Sequence, residues 1–248
     1  MVNHHKSGLL LGLCLFIAGV MIIPMIASCS KTGVTATGAN ARLQIINVSP
    51  DIQPFNLYTR YIKQSTNAYS YPNAYYYFLV NTIDVPFQIR TAQTVNGVSP
   101  SNLLTLADTL KPNVPYSWFI TGLRKDSTLE TILTVDTGSV PGNGRGKIRF
   151  VNASPVGLNL SLSLNDTVAF KNVAYKAVTP FVEVTAGSYN LNVTATNAPT
   201  TVLAPIQNYT VLDGKLYTVY FYGLSNTSDT AKYGANVLLN TLPAGTRY

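Results

Sequence analysis

Acid–base, nucleophilic and metal chemistry draws on a short list of side chains, and this chain carries few of them. Its 248 residues hold two histidines (His4, His5), two cysteines (Cys14, Cys29) and 10 carboxylates. Both histidines and Cys14 precede residue 29, in a stretch that reads as a removable leader. Once that stretch is gone, neither a Ser–His nor a Cys–His nucleophile pair can form. Imidazole and thiolate metal sites go with it, and so does any internal disulfide, although export would permit one. Two carboxylates alone could hydrolyse a glycoside, but most of the Asp residues, such as Asp51, Asp108 and Asp126, stand in turn-like contexts where Asp caps backbone amides. Asp213-Gly214 is a hairpin signal, and Glu183 occupies the solvated face of an alternating strand. No pair stands out and no DxDxDG calcium loop occurs. The expectation is a non-enzyme with neither metal nor cofactor.

The remaining reactive residue is Cys29. A polar, partly basic start (His4, His5, Lys6) leads into the uncharged run Leu9–Ile26, "LLLGLCLFIAGVMIIPMI", which ends at "IASC". This resembles a bacterial lipoprotein signal, in which small residues precede a cysteine that is acylated and becomes the first residue. A plain transmembrane anchor is the alternative, since 18 apolar residues lie at the lower limit for a span. The apolar run ends on small residues plus cysteine, and no positive cluster follows, which favours acylation. The chain is then expected to be exported and held in the cell envelope, at the outer membrane, by lipid on Cys29.

A second chemical feature is aromatic. The segment 67–78 reads "NAYSYPNAYYYF" and echoes itself. In an extended chain Tyr75 and Tyr77 share one face while Tyr76 and Phe78 take the other. Tyrosine faces offer apolar area with a polar tip and bind sugar rings or peptides. Tyr69, Tyr71, Tyr75 and Tyr77 are therefore candidate binding residues, with packing in a core or at a sheet edge as the other account of them.

What must position these residues is a repeat. "ARLQIINVSP" (41–50) matches "GKIRFVNASP" (146–155), setting Asn47 against Asn152 at an offset of 105. "PYSWFITGL" (115–123) matches "LYTVYFYGL" (216–224), setting Gly122 against Gly223 at an offset of 101. "VPFQIR" (85–90) lies over "GSYNLN" (187–192) at an offset of 102. Three matched segments in one order make the chain two copies of one domain, and the period is too long for a solenoid.

Each copy reads as β-structure. "LNLSLSLN" (158–165) alternates strictly, and "YTVYFY" (217–222) is dense in β-branched and aromatic residues. Ile148 and Phe150 share a face, and Arg149 and Val151 take the other. Short strands broken by Gly, Pro and Asn turns favour an antiparallel sandwich with one face of each sheet in water. Asn47 and Asn152, each followed two residues on by Ser-Pro (Pro50, Pro155), are expected to organise the turn that ends the first strand. Gly122 and Gly223 are expected to close the aromatic strand where a positive φ is required. Trp118 is expected in core or edge packing.

The organisation is thus a leader (1–28), a tether from Cys29 (29–40), a first repeat (41–138) with a Tyr-rich insertion (61–84), a linker (139–146) and a second repeat (147–248). Basic residues exceed acidic ones, for a formal charge of +7, of which Lys6 leaves with the leader. They are scattered, the tightest group being Arg145, Lys147 and Arg149, so no nucleic-acid-binding stripe forms.

"KIRFVNASP", "VAFKNVAYKAVTPFVEVTAGSYNLNV" and "LDGKLYTVYFYGL" together resemble the family called domain of unknown function 4397. The second copy carries the resemblance through Asn152, Ser154, Pro155, Phe170, Tyr175, Pro180, Gly187, Tyr189, Tyr217 and Gly223. The first keeps Asn47, Ser49, Pro50 and Gly122 but departs over 61–84. The resemblance implies two tandem immunoglobulin-like β-sandwich domains in an exported protein, as in lipoproteins of the Bacteroidota, and it supplies no catalytic residues. Asp108-Thr109, Asp126-Ser127, Asp166-Thr167 and Asp229-Thr230 also resemble acceptors for O-glycosylation in that group. The expected function is a non-catalytic display, scaffold or adhesion module of the envelope, with an envelope protein or glycan as partner. The alternative is a glycan- or peptide-binding lipoprotein that uses the segment 67–78.

Overall fold

The structure is a computed structural model that describes residues 39–92, 99–225 and 231–241. Cys29, the leader and Asp229-Thr230 lie outside the described residues. The chain divides at residues 37 and 38, and Gly38–Tyr248 forms one compact unit that contains both copies.

The first copy comprises β1 (Asn40–Asn47), β2 (Phe55–Thr59), β3 (Ile62–Lys63), β4 (Asn73–Ala74), β5 (Phe78–Asn81), β6 (Phe87–Thr91), β7 (Asn102–Thr105), β8 (Pro115–Thr121) and β9 (Glu130–Val135). The second comprises β10 (Arg145–Asn152), β11 (Leu160–Leu164), β12 (Thr167–Val173), β13 (Val182–Thr185), β14 (Gly187–Ala195), β15 (Ala198–Val211), β16 (Leu216–Tyr222) and β17 (Gly234–Leu239). In copy one, β1, β8 and β9 form a sheet with β4 and β5 on the other side of β1, and a second sheet runs β3-β2-β6-β7. Copy two repeats the plan with sheets β13-β10-β16-β17 and β12-β11-β14-β15.

Each copy has a core filled from both of its sheets. In the first, Leu43, Ile45, Trp118 and Ile120 meet Phe55, Leu57, Phe87 and Ile89. In the second, Ile148, Phe150, Val219 and Phe221 meet Leu160, Leu162, Leu191 and Val193. These are the alternating positions of the sequence, and Trp118 is fully buried among them.

The expectation of purely antiparallel sheets is corrected at the centre of each copy. β1 runs parallel to β8, with Ile45 opposite Trp118, and β10 runs parallel to β16, with Phe150 opposite Val219. A parallel pair needs a long crossover, and in each copy the intervening second sheet supplies it. A period of two records which face a side chain takes but not the direction of the strand.

The expectation that each sheet shows one face to water is also corrected. β8 is buried at every residue and β10 at all but Arg145. The outer face of the β1–β8–β9 sheet packs on the outer face of the β10–β16–β17 sheet. Ile46, Val48, Phe119 and Ile132 of copy one and Val151, Ala153, Tyr220 and Leu238 of copy two form a third apolar cluster there. Phe119 and Tyr220, equivalent in the repeat, meet edge to face with ring centroids 5.5 Å apart. The repeat therefore presents the same surface twice and buries it against itself.

Candidate functional site

The Asn-x-Ser-Pro motifs serve the ends of the central strands. Ser49 N–H donates to Asn47 Oδ1 at 3.2 Å, and Ser154 N–H donates to Asn152 Oδ1 at 3.2 Å, closing a side-chain turn in each copy. The Ser49 hydroxyl donates to the Gly122 carbonyl at 2.8 Å, and the Ser154 hydroxyl to the Gly223 carbonyl at 2.6 Å. The two segments that mark the repeat in sequence are thus hydrogen-bonded to each other in space. Gly122 has φ +79° and Gly223 φ +99°, and a Cβ at either would lie 2.0 or 2.2 Å from a backbone oxygen. Asn47 and Asn152 are fully buried, with their amides donating to backbone carbonyls. Pro50 and Pro155 are half-buried beside them.

The Tyr-rich segment lies along the edge of β1 opposite β8. Tyr69 bridges to Phe55 through the backbone, and its ring stacks on Phe55 at 5.5 Å and meets Tyr75 edge-on at 4.6 Å. It is a core residue, only 5% exposed. Burial, with a smaller effect of Tyr75, holds its phenol well above the usual range. Tyr75 is half-buried and donates to the Ala68 carbonyl at 3.0 Å. Tyr71 meets Tyr222 of the second copy edge-on at 6.0 Å, and burial, aided by Tyr222, pushes its phenol up to about 12.

Tyr77 reaches into the contact between the copies. Its hydroxyl donates to Asp136 Oδ2 at 2.6 Å and accepts from the Asn240 amide at 3.1 Å. Burial first, and then the Asp136 charge, push its phenol far above the ordinary value. Asp136 also accepts from Ser117 at 2.6 Å and from Thr134 at 2.8 Å, and it forms an ion pair with the buried Arg149 of copy two. Arg149 in turn donates to Thr218 Oγ1 at 2.8 Å, Thr134 Oγ1 at 2.9 Å and the Val135 carbonyl at 2.8 Å. The repeat is visible even here. Gln44 donates to Ser117 in copy one just as Arg149, its equivalent, donates to Thr218 in copy two.

Of the tyrosines in the segment, Tyr76 is the free one. It is 97% exposed and stands between two depressions. One, of about 250 Å³, is lined by Gln64, Ser65, Asn67, Tyr69, Tyr75 and Phe78. The other, of about 650 Å³, lies between the copies, where Tyr75, Tyr77 and Gln44 face Tyr209, Lys215 and Leu239. Aromatic walls, one ammonium group and a few amides suit a polar ligand with an apolar face, such as a sugar ring. Composition alone marks this segment, while strand alternation sets Tyr76 apart from the candidate strip of Tyr69, Tyr71, Tyr75 and Tyr77. Tyr209, Lys215 and Leu239 carry no local signal, because only the packing of the copies brings them to the groove.

Among the described residues there is no group of three or more His, Cys, Asp or Glu side chains that could hold a metal ion. Asp108, Asp126 and Asp166, the described members of the Asp-Ser/Thr motifs, are all exposed. No curated protein matches the chain. The family described as domain of unknown function 4397 matches twice in succession, over residues 41–163 and 147–246. With two tandem domains covering most of its length, the chain belongs to that family.

Proposed function

We propose that the chain is a non-catalytic module of the bacterial cell envelope. In this reading it is exported, acylated at Cys29, held at the outer membrane, and displays a rigid pair of immunoglobulin-like domains as a scaffold or adhesion unit. The observation that carries it is the contact between the copies. A shared apolar cluster and a buried ion pair fix the two domains to each other, as a spacer or display platform needs. Flexibly linked domains would keep these faces solvated. The assignment to lipoproteins of the Bacteroidota rests on "IASC" and on the family resemblance.

Cys29→Ser tests the anchor. Metabolic labelling with a fatty-acid analogue should mark the parent and leave the variant as an unlabelled precursor. Wild-type labelling of the variant would overturn the acylation reading.

A second reading, recognition of an envelope glycan or peptide, is favoured by the exposure of Tyr76 between two depressions. Of the residues first expected to bind, Tyr75 and Tyr77 line the larger depression, Tyr69 and Tyr75 line the smaller, and Tyr71 packs on Tyr222. Binding of the purified protein to envelope glycans, compared between parent and Tyr76→Ala, tests this reading. Equal capture by both proteins would remove it.

A further inference from the structure

The two copies run side by side in the same sense. Arg149, midway along β10, meets Asp136, whose N–H donates to the Pro115 carbonyl at the start of β8, while further along both copies the Thr121 hydroxyl donates to the Ala153 carbonyl at 2.6 Å. The ends at which β1 and β10 begin therefore lie together and form one end of the compact unit. The chain enters the unit at that end. Thr82 N–H donates to the Ala39 carbonyl at 2.8 Å, and Asn113 N–H donates to the Asn40 carbonyl at 2.8 Å.

That end carries exposed apolar side chains of a kind that folded surfaces seldom gather. Arg60 and Tyr61, both at positive φ, form the two-residue turn between β2 and β3. Arg60 binds the neighbouring loop, with its N–H donating to the Pro86 carbonyl at 3.3 Å and its guanidinium pairing with Asp84 at 3.2 Å. Turn and loop thus set Tyr61, Ile62, Ile83 and Val85 at one tip, each more than half exposed. Copy two adds Leu212, also more than half exposed, in the turn before β16. Among the described residues of the loops at the opposite end, the one large exposed apolar side chain is Val178, at 38%.

Charge accompanies the apolar tip. Lys111 and Arg145 are exposed there and Lys215 is half-exposed. Of the acids in the copy-two part of this end, Asp213 accepts the Arg145 N–H at 3.1 Å and Glu183 pairs with Lys147 at 3.5 Å, while Asp166, in the turn between β11 and β12, is exposed. Exposed apolar side chains beside exposed cations are what a lipid headgroup layer accepts.

The chain between Cys29 and the unit is short. Eight residues lie between Cys29 and Gly38, and fully extended this stretch spans at most roughly 30 Å. An acyl chain on Cys29 would hold the unit within that distance of the bilayer, with the apolar tip at the near end.

We propose that this end is a membrane-docking face that lies on a phospholipid surface. Tyr61, Ile62, Ile83 and Val85 enter the headgroup layer, and Arg145 and Lys215 meet anionic headgroups. The proposal rests on acylation at Cys29 for its setting but not for its test. Acylation at Cys29 holds the chain at the membrane, and a docking face adds a second contact that fixes the orientation of the domains.

The experiment uses residues 29–248 with Cys29→Ser, a non-acylated chain that contains the whole compact unit. It is sedimented with vesicles of phosphatidylglycerol and phosphatidylethanolamine, and with vesicles of phosphatidylcholine alone. The parent should sediment with the anionic vesicles. Replacing Tyr61, Ile62, Ile83 and Val85 together by Ser should lower its partition at least ~10-fold with an unchanged unfolding midpoint. Arg145→Glu with Lys215→Glu should lower partition to the anionic vesicles and leave that to phosphatidylcholine unchanged. No sedimentation of the parent with either vesicle, or equal sedimentation by the fourfold variant, would overturn the proposal. So would a parent that is dimeric in light scattering and becomes monomeric in the fourfold variant, since the face would then belong to a second copy. Because the tested chain has no acyl group, each of these failures leaves lipidation at Cys29 untouched, and failure of the fatty-acid label leaves the vesicle result untouched.

Discussion

Arg149 of the second copy is paired with Asp136 of the first, and both side chains are almost completely buried. The guanidinium also lies 4.6 Å over the Phe181 ring, and its remaining N–H groups reach Thr218, Thr134 and the Val135 carbonyl. A buried pair so fully hydrogen-bonded avoids most of the penalty of taking charge from water, and its worth shows when one partner is lost. Asp136→Ala leaves the Arg149 charge uncompensated and Tyr77 without its acceptor. We expect a loss of about 3–5 kcal/mol, measured by chemical denaturation. Asp136→Leu combined with Arg149→Leu should cost less than the sum of the two single changes. Strict additivity would show that the pair does not couple the copies.

The shared apolar cluster predicts how the chain unfolds. Separating the copies would expose Ile46, Phe119, Val151 and Tyr220 together, all essentially buried now. Burial of each such side chain is worth roughly 1.5–3 kcal/mol, so opening the contact is costly while either copy stays folded. Residues 29–248 should unfold in one transition that coincides by fluorescence and circular dichroism. Residues 147–248 alone should fold into β-structure but unfold at lower denaturant than the whole. Two well-separated transitions in the whole chain would show that the contact does not carry this energy.

Gly122 and Gly223 make a paired test of the repeat. Each combines a positive φ with a backbone oxygen where a Cβ would sit. Either Ala substitution should cost more than the roughly 1–2 kcal/mol of a left-handed alanine, because the backbone must also give way. The Ser49 or Ser154 hydroxyl bond to the same glycine would be disturbed as well. A midpoint shift within error for both variants would contradict the geometry.

Alkaline pH should loosen the fold. Burial raises the phenols of Tyr71 and Tyr209 to about 12, in each case with a smaller contribution from a neighbouring tyrosine, and those of Tyr69, Tyr77 and Tyr220 higher still. The unfolded chain ionises its tyrosines near pH ~10. Above that value the unfolded state releases protons that the native state retains, so stability is intact below pH ~10 and falls as pH rises towards 12 and beyond. Thermal midpoints between pH 8 and 12 should decline only in the upper half of that range. Ultraviolet titration should show the buried phenols ionising together with unfolding.

Much of this architecture is legible in the chain, and the gaps have physical causes. Leu160, Leu162 and Leu164 alternate in sequence and face the core in space, because a strand's period is fixed by its geometry. The parallel run of β1 with β8 leaves no such trace. Burial of both faces of β8 is hidden by Ser117 and Thr121, which look solvated but bond to Asp136 and to the Ala153 carbonyl. Arg149 likewise reads as a surface residue until the first copy covers it. In the Tyr-rich segment, residues 75–77 lie between β4 and β5 rather than within a strand. What separates Tyr76 from its neighbours is the set of partners that Tyr75 and Tyr77 find, and local spacing does not encode those partners.

That difference gives the last prediction. Tyr69 is enclosed by Phe55 and Tyr75 in the first core, whereas Tyr76 is in water with depressions on both sides. Tyr69→Ala removes a buried ring and should cost about 3–5 kcal/mol. Tyr76→Ala removes an exposed one and should shift stability by less than about 0.5 kcal/mol. If the groove between the copies binds a glycan, the second change should still weaken capture strongly, since an aromatic anchor often accounts for about 2 kcal/mol or more. Tyr77→Phe keeps the ring and removes the hydrogen bonds to Asp136 and Asn240, so it should lower stability while leaving the ring on the groove wall. Denaturation and glycan capture measured on these three variants separate packing from recognition. A stable Tyr76→Ala protein with undiminished capture would leave the segment a purely structural part of the first domain.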